Sequence, residues 1–79
     1  MFQIVRIELD DEGQVIARRP LQPPYDLWDD AMALAEFDAS RCDGEYGYDE
    51  AGDCWWACQA GRSFRFVVEQ LMVAVDAAA

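Results

Sequence analysis

From residue 2 the chain alternates. Val5, Ile7 and Leu9 fall on one side of an extended segment, with Ile4, Arg6 and Glu8 on the other, the period of two expected of a half-buried strand. Asp10-Asp11-Glu12-Gly13 interrupts the run, and Gly13 can adopt the left-handed backbone that closes a short hairpin. Residues 14–19 return as a second strand. Pro20, Pro23 and Pro24 end it, because proline has no N–H to give a ladder.

The period then changes. Leu27, Trp28, Ala31, Leu34 and Ala35 recur at spacings of three and four, which places them on one helical face, while Asp29, Asp30, Ala33 and Glu36 point away. Asp26 is a candidate N-cap, and Asp29 and Asp30 suit the positive end of the helix dipole. The pattern fades near Asp38 to Ser40. Residues 42–53 are rich in Gly and acids and read as a solvated connection. Tyr46 and Tyr48 would share one side of this segment if it is extended, and so can pin it to the domain.

Residues 54–69, Cys-Trp-Trp-Ala-Cys-Gln-Ala-Gly-Arg-Ser-Phe-Arg-Phe-Val-Val-Glu, predict a second hairpin around Gly61. Neighbouring strand residues point to opposite faces, so Trp55 and Trp56 cannot both enter one core. Gln59 shares its set with Trp55 and marks that set as the less buried. Trp56, Phe64, Phe66 and Val68 are therefore expected on the helix side, and Trp55 on the open side. Beyond Gln70 the apolar tail fits a short helix or a frayed end, and it can also fold back over Trp55.

Together these elements predict an α+β fold of ββαββ order: a four-stranded antiparallel sheet with one helix packed on one face. Residues 1–70 form the domain and 71–79 the tail. The outward sheet face would carry Ile4, Arg6, Glu8, Ile16, Arg18, Trp55, Arg65, Val67 and Glu69. Exposed Trp and Arg are typical of interaction surfaces. A candidate interaction site therefore consists of Ile4, Arg6, Ile16, Arg18, Trp55, Arg65 and Val67, through which, or through a strand edge, the chain would form a homodimer.

Composition narrows the chemistry. The 79 residues hold sixteen acids, six Arg and neither Lys nor His, for a net charge of −10. Such a charge repels the phosphate backbone and argues against nucleic acid. It keeps a small domain soluble, and it also suits a second role, that of an acidic inhibitor or decoy for a basic protein. Asp43, Glu45, Asp49, Glu50 and Asp53 would supply that surface. The same five carboxylates raise the question of calcium, but the EF-hand spacing fails: counting from Asp43, Tyr48 stands where the invariant Gly belongs. Cys42, Cys54 and Cys58 are spaced C-x11-C-x3-C, which is not a zinc pattern, and there is no His to complete one.

On a strand, Cys54 and Cys58 share a face but stand roughly 13 Å apart, too far to bridge. No metal and no cofactor are expected. Without His or Lys the usual acid–base and Schiff-base groups are missing, so catalysis is not expected either. No apolar run approaches the roughly 18–20 residues of a membrane span, and the first residues lack the pattern of a secretion signal. The expectation is a cytoplasmic, non-catalytic protein-interaction domain.

Overall fold

The computed structural model describes residues 1–21 and 23–71. Its order is β1 (Phe2–Leu9), β2 (Val15–Pro20), α1 (Trp28–Ser40), β3 (Tyr46–Asp49), β4 (Cys54–Gln59) and β5 (Arg62–Gln70). The strands form one antiparallel sheet in the order β2-β1-β5-β4-β3. The fold is thus α+β with one helix, as expected. Among the described residues there are one helix and five strands rather than four, in the order ββαβββ. The added strand, β3, lies within the acid-rich segment read from sequence as a connection.

Turn chemistry fixes the two hairpins. In the first, the Asp10 carboxylate accepts the N–H groups of Glu12 at 2.9 Å and Gln14 at 2.8 Å, while Gly13 takes φ +81°. In the second, Gln59 pairs with Arg62 across the two-residue turn Ala60-Gly61. Both turn residues have positive φ, +54° and +76°, as a type I′ turn requires.

That two-residue turn sets the β4–β5 register and with it the fate of the indoles. Trp55 stands opposite Phe66, and Trp56 opposite Arg65. Phe66 is in the core with α1, so Trp55 lies on the helix side and Trp56 on the open side, the reverse of the sequence expectation. Gln59 misled because it sits at the hairpin end, where either face is exposed. The parity of β1 is reversed as well. Ile4 pairs with Val68 and Arg6 with Phe66, which puts both on the helix side and leaves Val5, Ile7 and Leu9 on the open face.

The core is small and close-fitting. Ala31, Ala35 and Ala39 present a methyl stripe, each 0% exposed, to Ile4, Ala57, Phe64 and Phe66. Side chains this short let the helix backbone approach the rings directly. The stripe is rotated from the expected face: Leu27 is 60% exposed and Trp28 38%. The N-cap is Leu27, with no side-chain cap bond, and not Asp26. Helix α1 packs against β1, β3, β4 and β5 but does not reach β2, all of whose residues are exposed. The expected tail, from Met72 onward, lies outside the described residues.

A candidate docking groove between the helix and strand β3

Trp55 draws the short β3 strand onto the domain. Tyr48 pairs with Trp55 and Tyr46 with Ala57 across the ladder, so both phenol rings lie on the helix side, as the shared spacing suggested. Their ring centroids stand 5.2 Å and 6.5 Å from Trp55, close enough for tilted aromatic packing. On the opposite face Arg65 donates to the Asp49 carboxylate at 2.8 Å and reaches Cys54 Sγ at 3.6 Å. This bond, helped by the Gly52 and Ala51 N–H groups, holds the Asp49 carboxyl below its usual range, and the same pairing raises Arg65. Tyr48 donates to Asp53. That bond first, then desolvation and the nearby acids Asp53 and Glu50, push the phenol up to about 12.

Between this corner and α1 runs a groove of about 350 Å³ lined by Trp28, Met32, Ala33, Glu36, Tyr48 and Trp55. Its size is at the lower end of ligand pockets, suited to one or two side chains. The β3 edge of the sheet, which no described residue pairs, runs beside it. Cys58 N–H donates to the Glu45 carbonyl and Gly44 N–H to the Cys58 carbonyl, so Cys58 turns its backbone groups towards β3, and two residues on Trp56 does the same opposite Gly47. By alternation, the N–H and C=O groups of Tyr46 and Tyr48 point outward.

The other edge is different. Leu21 N–H donates to the Ile4 carbonyl, so in β2 the outward backbone belongs to Arg18 and Pro20. Pro20 has no N–H to offer, and the register shifts at Ile16 between Leu9 and Glu8. Proline, charged side chains and a bulge are features that discourage strand addition.

A second cleft, of about 320 Å³, lies at the C-terminal end of α1 beside Arg6, Asp38, Arg41, Cys42 and Gln59. Arg6 lies over the Phe64 ring at 5.3 Å and Arg41 over Phe37 at 5.7 Å. Burial raises both the Asp38 carboxyl and the Cys42 thiol. The negative end of the helix dipole and Asp38 oppose the two guanidinium groups there, so the cleft has no single electrostatic sense.

The residues expected to form one interaction face are divided. Ile4, fully buried, Arg6 and Trp55 are on the helix side. Arg18, Arg65 and Val67 share the open face with Ile7 and Val5, and Ile16 sits in the bulge, 58% exposed. Of the acidic segment, Asp43, Glu45 and Glu50 are exposed, while Asp49 and Asp53 are engaged as described. No cluster of His, Cys, Asp or Glu suited to a metal ion occurs among the described residues. The three cysteines are free. No helix among the described residues is long and apolar enough to cross a membrane.

Sequence reasoning missed the groove because its walls come from three distant segments. Only the Tyr-Gly-Tyr spacing signalled one of them. No protein-family model matches the chain, and neither does any curated protein or solved structure.

Proposed function

We propose that the chain is a non-catalytic protein-interaction domain that receives an extended, basic segment of a partner protein along β3. The observation that carries this reading is the outward backbone of Tyr46 and Tyr48 running beside the apolar groove. Strand addition uses such a pairing: backbone bonds give affinity and a flanking pocket gives side-chain selectivity. The net charge of −10 favours a basic partner, speeds its encounter and disfavours nucleic acid. The acidic-decoy reading therefore becomes part of the same proposal, and the chain is proposed to act in the cytoplasm.

The test is selection of a displayed random-peptide library against the full chain. Enriched peptides should be basic, compete with one another, and lose binding to Trp28→Ala. Failure to enrich any sequence, or binding indifferent to Trp28→Ala, overturns the reading.

A second reading, homodimerisation, is favoured by the open sheet face. Ile7, Leu9, Val67 and Trp56 are only half-buried there and no helix among the described residues covers them. The edge of β2 is the poorer route to a dimer, given Pro20 and the bulge.

A further inference from the structure

We infer that the groove is an aromatic cage for a cationic side chain, taking the ammonium or guanidinium head of a Lys or Arg, or a quaternary ammonium. The inference rests on the docking reading above and names what enters the groove. Three aromatic residues line it, Trp28, Tyr48 and Trp55, with Glu36 at the wall. Tyr48 and Trp55 meet at 59°, so their rings form two sides of a corner. A cation within about 6 Å of several ring faces gains from each, most from Trp.

The chain's own cations leave these rings unoccupied. It has no Lys. Arg18, Arg62 and Arg65 are ion-paired to Glu69, Glu8 and Asp49. Arg6 and Arg41 lie over Phe64 and Phe37, and Arg19 is on β2, which α1 does not reach. Among the described residues no Arg is stacked on Trp28, Tyr48 or Trp55, and Glu36 has no ion-pair partner. Asp29 and Asp30, in the first turn of α1 beside Trp28, add to a field of one sign. A purely apolar side chain would use the rings but leave this charge arrangement unanswered.

The probe is tetramethylammonium chloride, titrated into the full chain against sodium chloride of equal ionic strength. Its neutral isostere, tert-butyl alcohol, is run in parallel. The readout is the indole N–H resonances of Trp28, Trp55 and Trp56. Tetramethylammonium should shift Trp28 and Trp55 saturably and leave Trp56, on the far face, unmoved. Trp28→Ala should weaken binding roughly five- to thirtyfold. Glu36→Gln should weaken it less, and Val15→Thr, on the exposed strand β2 that α1 does not reach, should leave it unchanged. An equal response to tert-butyl alcohol overturns the cation preference while leaving the peptide groove standing. No saturable shift with either probe overturns the cage, and the peptide selection then decides the docking reading independently.

Discussion

Gly47 lies against the indole of Trp56 so closely that a Cβ built on it would stand 2.9 Å from Cζ2. The two residues are cross-strand partners, and the ring covers the backbone that the missing side chain leaves bare, an arrangement that rescues glycine in an edge strand. Gly44, at the entry to β3, is held more tightly. Its Cβ would meet the Cys58 carbonyl oxygen at 2.5 Å, and backbone yields less readily than a ring. Gly47→Ala should cost about 1 kcal/mol and Gly44→Ala about 2–3 kcal/mol, as overpacking generally does. Urea unfolding of the two variants checks the order.

The turn between β4 and β5 is open to improvement. Ala60 takes φ +54°, a conformation that Asn and Gly enter at lower cost than Ala. Ala60→Asn should stabilise the protein by about 0.5–1 kcal/mol, seen as a higher melting temperature, with no change in the docking groove. No rise in melting temperature would show that the backbone at residue 60 is not held left-handed in solution.

The alanine stripe of α1 sets how near the helix lies to the rings of Phe64 and Phe66. Ala35 is 0% exposed, so Ala35→Leu should cost about 1–3 kcal/mol. Ala33→Leu, at an exposed position, should be nearly neutral. Thermal unfolding of the pair distinguishes core fit from helix propensity.

Solution mass tests the open sheet face. If the chain dimerises through it, Ile7→Asp should give a monomer by light scattering, since Ile7 faces away from the helix. Trp55 is the wrong probe for this face, because its ring belongs to the core side. A dimer that survives Ile7→Asp removes the open-face interface.

Two carboxyl groups and one phenol, beside the raised Cys42 thiol, shape how stability depends on pH. Asp49 is held below its ordinary 3.8 by Arg65. Its contribution is thus fully present above 3.8 and lost as pH falls through the lower folded value. Asp38 is raised by burial, so stability declines as pH climbs from 3.8 through its folded value. Arg65→Gln should flatten the acid limb and leave the Asp38 limb in place.

At the alkaline end Tyr48 titrates at about 12, against an ordinary 10.0. The stability it contributes is complete below 10.0 and lost between there and about 12. Asp53→Asn should bring the phenolate absorbance transition of one tyrosine down towards 10.0.

The hairpins and the helix are legible in the residues because each has local punctuation: Asp10 with Gly13, the prolines after β2, and Ala60-Gly61. The facing of the indoles is not. Alternation divides a strand into two sets, but both sets of β4 hold a Trp, and only pairing with Phe66 decides which one turns inward. Strand β3 is hidden for a related reason. Tyr-Gly-Tyr-Asp has little strand preference of its own, and Trp55, Trp56 and Arg65 hold it in place. The groove inherits both difficulties, since it exists only once Trp28, Tyr48 and Trp55 have been brought together.

Strands β1 and β5, the first and last of the sheet in chain order, are paired along their whole length at its centre, from Phe2 with Gln70 to Leu9 with Ser63. A chain growing from its N-terminus therefore holds β1 with one edge unmatched until β5 has emerged. Pairings so distant in sequence form slowly, and an unpaired hydrophobic strand is the region most open to wrong partners meanwhile. The acids that crowd this chain would then act during synthesis too, keeping nascent copies apart until the central pairing is made.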